Sequence, residues 1–231
     1  RRGMVPPGDF ISLAEKSGLM LPMGTWVLKT ACEKLVVWSH RPETSSLVMA
    51  VNVSIVQFSA PDFVDTVLGV LERSGANPAR LKLEVTEGMF AKDLDDIVGK
   101  MTRLKAHGVA FSLDDFGTGF SSLSYLRRLP LDQLKIDQSF VSHMLGSKKD
   151  AAIVQAVITL GQSMELDVIA EGVETEDQRQ FLLALGCTAY QGYLFSRPVA
   201  AKDFAAFARR TCRHPKVRVR LVGPTLPLAV A

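Results

Sequence analysis

Along this chain, short runs of apolar residues alternate with longer stretches in which apolar positions recur every three or four residues. The first rhythm suits a strand buried on both faces, the second a helix with one apolar stripe. On that basis a short helix is predicted over 9–15, capped by Asp9 and stopped near Gly18, then a longer one over 23–38. The run 47–51 reads as a strand that ends at Asn52. The unit then recurs: helix 61–74, a turn at 75–78 and strand 81–85, followed by helix 94–106 and strand 109–113, with Gly108 suited to the left-handed cap between them. A shorter helical piece over 121–128 leads to strand 133–136, a long helix over 150–164 to strand 167–170, and helix 176–185 to strand 188–190. A closing helix spans 202–210.

Strands that alternate with helices predict a parallel sheet with right-handed crossovers. No linker rich in Gly, Pro or Ser interrupts the pattern, so residues 1–210 read as one α/β domain and 211–231 as a tail. The units share no sequence period, which excludes a solenoid.

Each strand meets polar groups toward its C-terminal end. Asn52 ends the first; Glu84, with Glu87 three residues on, ends the second; Asp114-Asp115 ends the third. Lys135 lies in the fourth, Glu171 ends the fifth and Gln191 the sixth. In a closed parallel barrel that face carries the active site, and residues from separate strands converge on it. One acid after a strand is commonly a cap or a solvated loop residue; six strands with the same feature are not explained that way.

Convergence of Glu84, Glu87, Asp114, Asp115, Glu171 and Glu174 would crowd like charges, each pair about 4 Å apart repelling by roughly 4 kcal/mol at an effective dielectric near 20. Such a cluster binds protons or holds cations. Divalent metal is the simpler answer, and two ions about 3.5–4 Å apart are the usual arrangement for attack of water on a phosphoryl centre. The glycines of Asp114-Asp115-Phe116-Gly117-Thr118-Gly119 allow tight turns and leave backbone N–H groups accessible, although the stretch does not match a P-loop.

Composition narrows the field. Hydrophobic residues make up 47% and charged residues 22%, an ordinary globular balance. No apolar run reaches the roughly 20 residues of a membrane-spanning helix, and the start lacks the apolar stretch of a secretory signal. Cys32, Cys187 and Cys212 are far apart without CxxC spacing, and the four histidines are scattered. Those features argue against a disulfide framework or structural zinc and for a reducing compartment, with any metal held by oxygen and therefore a hard cation. A net charge of +3 is too small to argue for a nucleic acid polymer. The basic tail (Arg209, Arg210, Arg213, Lys216, Arg218, Arg220), with the apolar 221–231 after it, reads as a solvated end or linker.

Six blocks together resemble the successive signatures of EAL domains: Asn52-Val53-Ser54, Leu83-Glu84-Val85-Thr86-Glu87, Asp114 to Leu123 (DDFGTGFSSL), Leu134-Lys135-Ile136-Asp137, Ala170-Glu171-Gly172-Val173-Glu174, and Gln191 to Pro198 (QGYLFSRP). The resemblance covers about residues 1–207. It implies a TIM-barrel-like (β/α)8 fold and a phosphodiesterase, dependent on two Mg²⁺ or Mn²⁺ ions, that opens the bacterial second messenger cyclic di-GMP to linear pGpG. Carried onto this chain, Asn52, Glu84, Asp114 and Asp115 would ligate metal, with Asp114 as the bridge. Glu171 would complete the shell directly or through water, and Lys135 would hold the attacking water and offset phosphate charge. Glu87 would steady the loop 115–122, which the family uses in metal binding and dimerisation. Asp137, Glu174 and Gln191 would line the pocket or support the ligands, while Tyr193 and Phe195 read as core aromatics. Phe120 stands where the family often has Tyr.

The family's Glu-Ala-Leu does not occur here; the alignment places it just upstream of Arg1, so two of eight strands, including that motif, are expected to be absent from this chain. The chain by itself is therefore expected to be poorly stable and inactive. The resemblance further implies a homodimer, a neighbouring sensor or diguanylate cyclase-like domain in the parent protein, and a cytoplasmic location for the domain. A catalytically silent cyclic di-GMP receptor is the alternative, disfavoured because such receptors usually lose acids that are intact here. A sugar-cleaving barrel with paired carboxylates does not fit adjacent aspartates beside a lysine.

Overall fold

The structure, a computed structural model, describes residues 5, 7–91, 93–119 and 123–212. The tail beyond 212, the Phe120-Ser121-Ser122 part of the glycine-containing loop and most of the opening stretch lie outside the described residues.

The elements follow one another as α1 (Ile11–Lys16), α2 (Met20–Ser39), β1 (Met49–Asn52), α3 (Ile55–Phe58), α4 (Phe63–Ser74), β2 (Leu81–Thr86), α5 (Leu94–Ala106), β3 (Ala110–Phe116), α6 (Leu123–Leu126), β4 (Gln133–Ile136), α7 (Gln138–His143), α8 (Lys148–Ser163), β5 (Asp167–Ala170), α9 (Glu176–Ala184), β6 (Ala189–Tyr190) and α10 (Ala201–Cys212). The strands are neighbours in chain order, β1 to β6, and the β3–β4, β4–β5 and β5–β6 pairs are parallel. Among the described residues no helix is long and apolar enough to cross a membrane.

Strands β4 and β5 span the residues that the apolar runs predict, and the predicted helices reappear with ends moved by a few residues. Four differences have physical causes. Asp9 does not cap α1: it sits in a 3-10 turn, and Phe10 holds the cap position without a side-chain hydrogen bond. Helix α3 is set by a capping box in which Ser54 and Gln57 satisfy each other's backbone N–H groups. Helix α7 starts where the Asp137 carboxylate accepts a hydrogen bond from Ser139 N at 2.9 Å. Strand β3 continues through Asp114 and Asp115 to Phe116, so the paired aspartates lie inside the strand rather than after it.

The chain divides into two compact units. In the first (Arg1–Leu83, Ala106–Val109, Pro198–Ala231), α2 packs on α4, and Leu28, Ala31 and Leu35 of the one and Val64, Val67 and Leu71 of the other are buried. Trp38 stacks on Phe204 with ring centroids 4.7 Å apart, and Glu43 pairs with Arg209, which fixes α10 to the end of α2.

The second unit (Glu84–Lys105, Ala110–Arg197) contains β3 to β6. Alternate residues divide between two faces of its strands. Leu134 and Val168 face α8, where Gly161 lies so close that an added methyl would stand 2.2 Å from Val168 Cγ2. Ser112 and Gln133, one step along, join by a hydrogen bond of 3.2 Å between buried side chains. Asp132 clamps β3 to β4: it accepts from Phe111 N at 2.8 Å and from Lys105 Nζ at 2.7 Å.

Two helix glycines in this unit make opposite predictions. Gly161→Ala overpacks the α8–sheet contact and should destabilise by about 1–3 kcal/mol. Gly99→Ala, exposed on α5 with nothing within 4 Å of the new methyl, should instead stabilise by roughly 0.5–1 kcal/mol. Equilibrium denaturation of the two variants checks both signs.

Candidate metal centre

Glu84 on β2, Asp114 on β3, Lys135 on β4 and Glu171 just after β5 converge on one point of the second unit. Lys135 Nζ stands 3.0 Å from Glu84 Oε2, 2.8 Å from Asp114 Oδ1 and 2.8 Å from Glu171 Oε1. Glu84 and Lys135 are only 4% and 3% exposed, so these contacts are little screened by solvent. Parallel pairing delivers the groups together: β4 and β5 run in unbroken register, and Glu171 N donates to Ile136 O at 3.1 Å, continuing the ladder one residue past the strand.

Asp115 reaches the same cluster by a different route. Successive side chains of a regular strand point to opposite faces, so neighbouring aspartates would diverge. Here Leu113 pairs with Leu134 and Phe116 with Ile136, three steps along β3 against two along β4. The extra residue is a β-bulge, and Asp115 sits there in the left-handed region at φ 55°. Aspartate tolerates that conformation better than most residues. As a result carboxylate oxygens of Asp114, Asp115 and Glu171 all lie within 4.8 Å of one another.

Glu87 holds the start of the loop that follows. Its Oε1 accepts from Gly117 N at 2.7 Å, and a methyl on Gly119 would stand 2.5 Å from its Oε2. Glutamate and glycine fit as a pair. The Glu87 side chain is buried, and Oε2 has no hydrogen-bond partner among the described residues.

The remaining expected residues differ in setting. Asp137 is half-buried, caps α7, also takes a hydrogen bond from Ser139 Oγ, and shares one with Asp115. Glu174 is exposed, and its N–H donates to Gln178 Oε1 at 2.8 Å ahead of α9. Gln191 is half-buried, and its backbone joins both Ala170 and Val173. Asn52 closes β1 in the first unit with its side chain exposed. The aromatics after β6 do not follow the core reading: Tyr193 is 53% and Phe195 38% exposed. Arg197 lies over the Tyr193 ring at 4.5 Å, a cation–π contact that leaves both at the surface. The nearby arginine in Phe195-Ser196-Arg197 was the available signal for it.

Charge imbalance governs the cluster. Burial disfavours the Lys135 ammonium, but Glu84, Glu171 and Asp114 outweigh that and hold its pKa above the ordinary lysine range. One cation does not neutralise three anions. Burial pushes the Glu171 carboxyl up to about 7 despite its bond to Lys135, with Asp114 and Glu84 adding to the rise. Burial, then the charges of Asp114 and Asp137, push Asp115 up to about 6. The donors are carboxylate oxygens throughout, and the cluster still carries excess negative charge beside Lys135. Those two properties suit hard divalent cations.

A family model described as EAL domain matches residues 1–198. The chain is 44% identical over 206 residues to the bifunctional diguanylate cyclase/cyclic di-GMP phosphodiesterase MucR of Pseudomonas aeruginosa, covering 89% of this chain and 30% of that protein. It is 42% identical over 208 residues to the cyclic di-GMP phosphodiesterase NbdA of the same organism, covering 90% of this chain and 26% of that one. The chain thus spans under a third of the length of either relative. A solved structure of the MucR phosphodiesterase in complex with c-di-GMP superposes with a TM-score of 0.85 at 44% identity, covering 88% of this chain and 82% of that one. The strand order, the acids at the strand ends and these similarities agree on one conclusion: this chain has an α/β, TIM-barrel-like fold and belongs to the EAL domain family.

Proposed function

We propose that the full-length protein to which this domain belongs hydrolyses cyclic di-GMP to linear pGpG. The observation that carries the proposal is the convergence of Glu84, Asp114, Lys135 and Glu171 from four strands, with Asp115 turned into the same cluster by the bulge. Residues of a purely structural ion pair need not bring five charged groups together, and a second acidic neighbour would only weaken it.

In this reading Asp114, Asp115, Glu171 and Glu84 would hold two Mg²⁺ or Mn²⁺ ions, and the place of Asn52 among the ligands rests on its motif alone. The ions, when bound, supply a more acidic water and positive charge opposite the phosphodiester. By the family resemblance, Asp114 would be the ligand shared between them. Lys135 has three ammonium donors and no acceptor, so it can orient a water oxygen and a phosphate oxygen together and offset charge that develops on the phosphoryl group. Hydrolysis adds the water hydroxyl to phosphorus, breaks one P–O bond of the ring, and returns the proton to the departing sugar oxygen. Glu171, beside Lys135 and half-buried, is the carboxylate best placed to steady that water. Glu87 acts at one remove by fixing Gly117, two residues after Asp115. Asp137, through its shared hydrogen bond, restrains the Asp115 carboxyl, while Glu174 and Gln191 are proposed as pocket-lining groups. A homodimer and an upstream sensor or cyclase-like domain belong to the same proposal, supported by the family alone.

The test is product release from cyclic di-GMP by the full-length protein. With Mg²⁺ or Mn²⁺ supplied, pGpG should form, and a chelator should stop it. Lys135→Met should lower kcat by roughly 10²–10⁴-fold, and Asp114→Asn should do so with loss of metal binding. Tight binding of cyclic di-GMP without any turnover in the wild type would instead make the protein a receptor.

Glu87→Ala gives a separate prediction. Its loss frees Gly117 without removing a ligand, so Mn²⁺ affinity measured by titration calorimetry should weaken by about 10–100-fold, as for other supports of metal ligands. An unchanged affinity would remove Glu87 from the site.

A further inference from the structure

We infer that Lys135 is a built-in competitor of the divalent ions, an ammonium that holds the ligand oxygens in place of metal and sets how tightly metal binds. The inference rests on the metal-dependent reading above and adds to it a role for Lys135 in ion affinity, separate from any contact with substrate.

Three observations carry it. The ammonium does not stand at the edge of the carboxylate group: it takes one oxygen each from Glu84, Asp114 and Glu171, at 3.0, 2.8 and 2.8 Å. The Glu84 contact is a hydrogen bond, and Asp114 and Glu171 stand within ion-pair distance of the same nitrogen. Two of those acceptors, Asp114 and Glu171, belong to the group of oxygens that lie within 4.8 Å of one another and could share an ion. Finally, Lys135 is anchored in the middle of β4, between two paired strands, and is buried, so its stem has little freedom to swing its head into water.

The consequence follows from charge. A dication drawn to Asp114 and Glu171 must either strip these oxygens from the ammonium or bind beside it against repulsion. Both routes weaken binding. The same contacts keep the carboxylates from pushing one another apart when no metal is bound, so the lysine stabilises the unloaded site and taxes the loaded one. Ion occupancy would then respond to the free concentration of Mg²⁺ rather than remain saturated.

The test compares wild type with Lys135→Met and Lys135→Gln in the full-length protein, reading Mg²⁺ affinity by calorimetry and the unfolding temperature with chelator and with Mg²⁺. Each neutral variant should bind Mg²⁺ about tenfold more tightly or better, the scale of a lost charged hydrogen bond. In chelator each should unfold about 5–10 °C lower, because carboxylates are left unpaired. Saturating Mg²⁺ should restore the loss. Lys105→Met, which removes an equal charge from the partner of Asp132 outside the cluster, should leave Mg²⁺ affinity unchanged. Equal or weaker Mg²⁺ binding by both neutral variants, while wild type binds, would overturn this inference and spare the phosphodiesterase reading. Equal tightening by Lys105→Met would reduce the effect to net charge and overturn it too, as would variants that stay unfolded in saturating Mg²⁺. Wild type that binds no Mg²⁺ would end both.

Discussion

An ammonium shared among three carboxylates, Glu84 and Asp114 buried and Glu171 half-buried, constrains the second unit of this protein. Burying four charged groups is costly unless each finds a partner at close range, and removing one partner leaves the others exposed to their mutual repulsion. The sheet must therefore place β2, β3, β4 and β5 in a fixed register, since a slip of one residue would turn Lys135 or Asp114 to the opposite face. The apolar contacts behind it, Leu134 and Val168 against α8, hold that register from the other side. Asp132, which ties Phe111 and Lys105 to the start of β4, fixes it near the opposite end of the same strands.

The bulge at Asp115 shows how the fold departs from regularity to serve the site. A regular strand would have given one acid to the cluster and one to the helix side. One extra residue, held at φ 55°, brings both to the same group. Burial first, then crowding by Asp114 and Asp137, raises the Asp115 carboxyl to about 6. Such a local departure is retained where function offsets it.

Much of this was legible in the amino-acid pattern, and the exceptions have separate reasons. Strands 133–136 and 167–170 and helix 94–106 announce themselves because apolar residues there follow one period without interruption. The alignment of polar groups at strand ends likewise marked Glu84, Asp114, Lys135 and Glu171 before any geometry was known. The bulge was not legible, because hydrophobic period carries no record of an inserted residue between two acids. Helices α3 and α7 were missed although Ser54–Gln57 and Asp137–Ser139 carry capping signals; at four and six residues both are too short to show a period. Asp9 misled in the opposite sense, offering a cap that a 3-10 turn displaced. Tyr193 and Phe195 misled because bulk and apolarity say nothing of which face a loop presents: Arg197 lies over the Tyr193 ring, Phe195 stacks on Tyr190, and both aromatics stay exposed.

The proposed chemistry requires oxygen ligands from β3 and from the end of β5 to close on divalent ions. Anomalous diffraction from crystals of the full-length protein grown with Mn²⁺ tests this most directly. Anomalous density is predicted among Asp114, Asp115 and Glu171, within bonding distance of their carboxylates. Crystals whose Mn²⁺ signal lies elsewhere, with these carboxylates free of it, would contradict the central claim.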